Sequence, residues 1–580
     1  MDSKEIRLIN ENHFLSLRKN LKNKEFFTKN NYILKIYENN NDNNLENINI
    51  KDKESKINKE KLFVQYSTCN DTISKLGYLM QMLITNNDNF TIYGLYHINE
   101  FLSNIQKSEF ELQNLQTQFN ENMFKYLFEI LDRKHKENDI ILLIVSIINK
   151  LCHLHNKYCF LLMNYINNII NIITNISEHK NNNHYNCLKN NLFILINNIF
   201  LVENFNNYKD NLENNCKDFL MVIISEIYNI INNNSNTSFI YSKKIILNLL
   251  LIINNIFFYR MFYSRIFKNA DKIKNKEKNI FDALKYILKN KTNYELNDSV
   301  ILCLYNFIEY YLENKEKLTE EEQDEINYRI CDINIPKYII PLMFENKDKI
   351  LNNDIKIYIF KILINTIYIG DCQYWSNLIE KKIASQIIKL QDFLLNRNID
   401  NKDNNSSIIF EYHLLLIFNL VSTEYNEVIS NIGIKYPVIS NLFKFFRLNN
   451  NYINKHLDLF INILNGLIKN KCKYKKRQCN FPYIKTLLLS EGILEFFKKI
   501  LIDEHKPLNK DMIKNIFIDI LVLIEYFEDF TDDKKDNIVL LHMETIGMNE
   551  IINNYISKIN LDDDIINILK DISNRLVKEE

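Results

Sequence analysis

Two stretches decide the reading of this chain: Ile140–Leu151, IILLIVSIINKL, and Ile245–Phe258, IILNLLLIINNIFF. Both are longer than an ordinary strand and are apolar over more than one helical face. A helix on the surface of a small bundle keeps one face polar, so these two must be sandwiched between neighbours on several sides. A membrane span is the competing reading for the second stretch, extended to Phe267. Asn248, Asn254, Asn255 and Arg260 interrupt it before the roughly 20 apolar residues that a bilayer requires. A buried helix in a large helical stack is the expectation for both.

Outward from these stretches the same pattern continues. Leu76, Leu79, Met80, Met82 and Leu83 recur at helical spacing, as do Ile355, Ile359, Ile362 and Leu363. The 580 residues contain 7 Gly and 5 Pro, too few for the turns of sandwiches, barrels or doubly wound sheets. Asn takes over as turn and cap residue, since it tolerates left-handed backbone and accepts hydrogen bonds at helix ends. Its overall abundance means that no single Asn can be weighted heavily.

A repeated unit is visible: an Ile/Leu-rich helix with an Asn near its middle, a polar turn and a second apolar helix. The marker falls at Asn149, Asn198, Asn255, Asn306, Asn419 and Asn465. Successive markers lie 46 to 57 residues apart, except for a 113-residue gap that holds one further unit around Thr366. Armadillo and HEAT repeats have periods of roughly 40 to 47 residues, and Asn-rich insertions such as 178–186 and 398–406 account for the excess. The expected fold is all-α, an armadillo-type right-handed superhelical solenoid over residues 62–580. Residues 1–37 read as a basic, helix-compatible arm. Residues 38–61 have too little apolar surface to offset their ordering entropy and read as a low-complexity linker.

Lys plus Arg equals Asp plus Glu, 72 of each. No global field pulls the chain to nucleic acid or to an anionic membrane, and neither is an expected partner. Ten cysteines stand singly, without a CxxC pair, and the charged start MDSKEIRLINENH is unlike a signal peptide. The expected compartment is reducing, cytoplasm and nucleus. No Gly-rich phosphate loop, GxSxG or HExxH motif occurs, so neither catalysis nor a cofactor is expected.

Three local clusters carry alternative readings. Cys152-His153-Leu154-His155, with Cys159, contains metal-ligand types but lacks a second pair at zinc spacing, and reads as a packed helix end. KNKCKYKKRQCN, Lys469–Asn480, is either a solvated loop, a localisation signal or a phosphate contact. LTEEEQDE, Leu318–Glu325, reads as a solvated helix start.

At the level of individual motifs the chain resembles importin alpha, the adaptor family that carries nuclear localisation signals. ILINTIYIGDCQYWSNL, Ile362–Leu378, looks like that family's GNIVTGDDxQTQ segment, with Gly370 and Asp371 on its Gly-Asp turn. Leu541–Leu576 resembles the family's last repeat, with Glu544, Gly547, Met548, Asn549, Glu550 and Ile551 at the corresponding places. SLRKNLKNKEFFTKN, Ser16–Asn30, resembles the importin-beta-binding segment LRKxKRxxxLxKR: Leu17, Arg18, Lys19, Lys22 and Lys29 align, with Phe26 and Phe27 on leucine positions. The resemblance implies that Arg18, Lys19, Lys22 and Lys29 meet importin beta. It also implies that the six marker asparagines line a concave cargo groove for basic localisation signals, and that the last repeat meets an export receptor. The family's groove tryptophans are replaced here by Val145, Ile194, Leu251, Leu302, Leu415 and Ile461, which removes cation–π contacts of roughly 0.5 to 2 kcal/mol each. The expected function is a nuclear import adaptor. The alternative is an armadillo scaffold, cytoskeletal or signalling, with no transport role.

Overall fold

The computed structural model describes residues 50–57, 60–85, 87–104, 119–133, 137–177, 183–200, 219–232, 239–259, 294–333, 335–343, 353–369, 404–422, 438–448, 450–469, 488–502, 508–528, 537–557 and 562–577, with a few short pieces between them. Every regular element among the described residues is a helix. The chain divides into two compact units, Met1–Glu325 and Ile326–Glu580.

In the first unit five long helices follow one another at the repeat interval: α1 (Asp88–Asn104), α2 (Asn138–Leu154), α3 (Asn183–Ile199), α4 (Phe239–Phe258) and α5 (Tyr294–Asn314). Each packs on the next, forming one row. Shorter helices form a second layer, Glu121–Arg133 against α2, Ile166–Ser177 against α3 and Phe219–Asn232 against α4. The second unit repeats the plan with α6 (Asn353–Ile369), α7 (Asn404–Ser422), α8 (Asn450–Lys469), α9 (Lys510–Glu528) and α10 (Asp563–Val577). Its second layer sets Val438–Leu448 on α8, Ile493–Ile502 on α9 and Met548–Ile556 on α10. Both units are helical solenoids in which a helix meets mainly its neighbours in sequence.

The reason is visible in α2. Ile140 to Ile148 are all at most 3% exposed, so flanking helices cover every face that the sequence left apolar. Each fully buried Ile or Leu contributes about 1.5–3 kcal/mol, an upper figure because the unfolded chain already hides some surface. At its end the chain turns without glycine. His155 is extended, at φ −156°, and its Nδ1 accepts the N–H of Lys157 at 3.0 Å, capping the next helix, Asn156–Met163. The CHLH stretch is thus a helix corner. Cys159 Sγ donates to the carbonyl of Cys152 at 3.6 Å there, and among the described residues no three His, Cys, Asp or Glu side chains are placed to hold a metal ion.

Asparagine does take the capping role. Asn120, Asn509 and Asn537 each accept backbone N–H groups at the start of the helix that follows. Thr319 and Glu322 form a reciprocal capping box at the head of Glu320–Ile333, within the LTEEEQDE stretch. Gly547 stands at φ +70°, between Ile538–Thr545 and Met548–Ile556, where a Cβ would be strained. Ion pairs fasten α10 to α9: Lys510 to Asp562, Lys514 to Asp564, and Arg575 to Glu525 and Glu528.

Inside the span read as a linker, Ile50–Ile57 is a helix that packs on α1 and buries Ile57 completely. Among the described residues no single helix is long and apolar enough to cross a membrane; one bent pair, Lys157–Met163 with Ile166–Ile176, passes by length and composition only.

Candidate partner-binding face

The six marker asparagines lie on four consecutive long helices of the first unit and two of the second: Asn149 on α2, Asn198 on α3, Asn255 on α4, Asn306 on α5, Asn419 on α7 and Asn465 on α8. All are at most 9% exposed. Four of them use their amides inside the protein. Asn149 Nδ2 donates to the carbonyl of Asn191 at 3.0 Å, while its Oδ1 accepts from Asn198 Nδ2 at 2.9 Å. Asn306 Nδ2 donates to Asn254 Oδ1, and Asn419 Nδ2 to the carbonyl of Leu415 at 2.7 Å. Asn255 and Asn465 make no side-chain hydrogen bond among the described residues, and Asn465 Nδ2 is buried without a partner.

The aliphatic residues at the tryptophan places follow the same geometry. On α4 Leu251 is the slightly open member of a run whose neighbours Leu250 and Ile252 are fully closed, and Leu302 on α5 stands out likewise beside Ile301 and Cys303. Ile194 and Leu251, from adjacent repeats, touch each other as a small cluster apart from the main core. Val145 and Ile461 are completely buried. The aliphatic row is therefore slightly open on α4, α5 and α7 and closed on α2 and α8, whereas the marker asparagines of α2 and α8 are no more buried than those of α4 and α5.

Sequence reading overlooked the polar partners beside the markers. Asn197 Nδ2 donates to the carbonyl of Asn248 at 3.1 Å, and Asn248 Nδ2 donates to Asn190 Oδ1 at 2.9 Å. Ser146 Oγ donates to Asn99 Oδ1 at 2.8 Å. Lys150 donates to Asn99 O and Oδ1 at 2.9 and 2.8 Å and to Ser103 Oγ at 2.5 Å. These bonds tie α1 to α2 and α3 to α4. Burial without a carboxylate partner lowers the Lys150 ammonium to about 8. The paired asparagines Asn190-Asn191, Asn197-Asn198 and Asn254-Asn255 were the available signal: an amide on each side of the helix can serve a different neighbour.

In the second unit Lys361 of α6 lies 5.7 Å from the ring centre of Tyr358 and 5.9 Å from that of Tyr412 on α7, a cation held against two rings. His413, also on α7, is completely buried between Phe360 and Phe410, and both ring nitrogens lack a hydrogen-bond partner. Burial depresses its pKa to about 3.

The arm residues Arg18, Lys19, Lys22 and Lys29, the Gly370-Asp371 turn and the basic cluster after Lys469 lie outside the described residues.

No protein-family model matches the sequence, and a search of curated proteins finds no match. Among solved structures, a chain from work on a phosphorylation switch controlling the interaction between cadherin and beta-catenin aligns at a TM-score of 0.53 and 10% identity, over 91% of this chain and 94% of that one. A chain of importin beta aligns at a TM-score of 0.29 and 8% identity, over 89% of this chain and 53% of its own length. Taken with the two stacked rows of helices, the first of these alignments identifies the fold as an all-α solenoid of the armadillo and HEAT type.

Proposed function

We propose that this chain is a protein-binding solenoid without catalytic activity, and that its specific role is that of an importin-alpha-like adaptor moving between cytoplasm and nucleus. The observation that supports the general reading is the row of packed helices in each unit, on the fold of a chain from work on the interaction between cadherin and beta-catenin. Stacked repeats generate extended surfaces suited to extended partners. The specific role rests on the basic arm around Arg18, Lys19 and Lys22, on the resemblance of the last repeat and on the order arm, linker, solenoid. In this reading importin beta takes the arm, cargo with basic signals takes the stripe through Leu251 and Asn255, and an export receptor takes the C-terminal repeat. The amide of Asn255, which makes no side-chain hydrogen bond among the described residues, suits a peptide main chain, whereas Asn149, Asn198, Asn306 and Asn419 serve the stack and the Asn465 Nδ2 is enclosed. A pull-down with importin beta, using the full chain and a chain lacking residues 1–37, tests the role: retention by the full chain alone supports it, and equal or absent retention removes it.

The burial of Val145, Ile461 and four of the marker amides favours a second reading, a scaffold that keeps the architecture and recognises partners by other surfaces.

A further inference from the structure

At the N-terminal end of the described stack, three helices bring together an aromatic and acidic cluster that neither reading of the function uses. Helix Lys61–Thr68 supplies Tyr66, α1 supplies Tyr93, Tyr96, His97 and Glu100, and Ile50–Ile57 supplies Glu54. The Tyr93 and His97 ring centres are 4.4 Å apart; Tyr66 lies 6.0 Å from Tyr93 and 6.1 Å from His97, and Tyr96 lies 5.3 Å from His97. Tyr93 is buried and forms the floor, whereas Tyr66, Tyr96 and His97 are partly open to solvent. Glu100 Oε2 is 3.0 Å from His97 Nδ1, and its side chain is 55% exposed. Glu54 is exposed and makes no hydrogen bond or ion pair among the described residues.

The charges that act on these rings have one sign. Burial raises the Tyr66 and Tyr93 phenols, and Glu54 and Glu100 raise both further. Burial lowers His97, against the opposing pull of Glu100 and Glu54. No lysine or arginine contributes to any of the three. The rings thus sit in a field to which Glu54 and Glu100 contribute, and no cation among the described residues acts on Tyr66, Tyr93 or His97. We propose that it is a docking site for an arginine side chain of a partner protein. A guanidinium is planar enough to lie on Tyr66 or Tyr96 and can donate to the Glu54 or Glu100 carboxylate while doing so. A phosphate or an acidic segment would be repelled. None of its residues belongs to the marker stripe or to the arm sequence, so its failure leaves both of those readings standing.

The test measures binding of a fluorescein-labelled arginine–glycine peptide to the full chain by fluorescence anisotropy, beside a matched citrulline–glycine peptide of nearly the same shape but no charge. The arginine peptide binds and the citrulline peptide binds at least about fivefold more weakly. Glu54→Gln with Glu100→Gln weakens arginine binding about fivefold, and Tyr66→Leu, which keeps apolar bulk but removes the ring, weakens it about two- to fivefold. Both variants keep the parent's circular dichroism, since the altered side chains are partly or wholly exposed. Glu320→Gln with Glu321→Gln, an equal loss of charge on a distant helix, leaves binding unchanged. Absence of arginine binding, equal binding of citrulline, or equal weakening by the distant pair overturns the proposal.

Discussion

Replacing His413 by Leu removes a histidine whose two ring nitrogens are enclosed and unpartnered, between Phe360 and Phe410. Near neutral pH the side chain is uncharged in both folded and unfolded chains, and the variant loses two orphaned polar atoms. An unsatisfied buried polar group costs about 1–3 kcal/mol, so the Leu variant is at least as stable as the parent at pH 7.5, provided Leu fits the ring's space. Acid separates the two proteins. The folded pKa of about 3 lies below the ordinary value of 6.5, so the unfolded chain binds the proton first. Stability carried by the neutral imidazole is full above pH 6.5 and is lost as pH falls from there toward 3. Between pH 7.5 and 5.0 this one group costs the parent about 2 kcal/mol, and the Leu variant avoids that loss. Other histidines titrate equally in both proteins and cancel in the difference. Urea unfolding at the two pH values, followed by circular dichroism and by the fluorescence of the single tryptophan, Trp375, measures it. An identical pH dependence in parent and variant would refute the reasoning, because the imidazole would then have to be solvated or hydrogen-bonded in the fold.

Other perturbations report on different joints of the stack. Asn198→Ala strips the donor from Asn149 Oδ1 between α2 and α3 and should lower stability by about 1–3 kcal/mol, read by urea unfolding. Glu226→Ala leaves Lys189, its partner at 2.5 Å, half-enclosed without a counter-charge, and a loss of roughly 3 kcal/mol is expected; a smaller effect than Asn198→Ala would mean that water reaches the ammonium. Gly547→Ala forces a side chain into left-handed backbone at a place where the nearest atom, Lys498 Nζ at 3.8 Å, offers no clash, so the conformational cost alone, about 1–2 kcal/mol, should appear in the melting of the C-terminal repeat.

The helices were legible because Ile140–Leu151 and Ile245–Phe258 are apolar all round, which only a sandwiched helix can satisfy. The repeat interval was legible for the same reason: every unit needs one such helix. The surroundings of the marker asparagines were not. A strip of Asn in a sequence rich in Asn looks the same whether its amides face a groove or a neighbouring helix, and only the third dimension shows that Asn149 and Asn198 bond to each other. The pairs Asn197-Asn198 and Asn254-Asn255 held the clue, since adjacent helix positions point about 100° apart and can serve two partners. Ile57 illustrates a different gap: composition marks residues 38–61 as polar, but Ile50–Ile57 packs against α1 and buries Ile57. The aromatic and acidic cluster at Tyr66, Tyr93 and His97 joins residues from three helices, and its parts are unremarkable when read in sequence order.

The proposed adaptor role, with recruitment through the basic arm, is tested by the affinity of the full chain for importin beta at two salt concentrations, beside Arg18→Ala with Lys19→Ala and Lys22→Ala. The expected result is binding by the parent that weakens as salt rises, and a loss of at least about tenfold in the triple variant together with a shallower salt dependence. Equal affinity of parent and variant at both salt concentrations, or no binding by either, would contradict it.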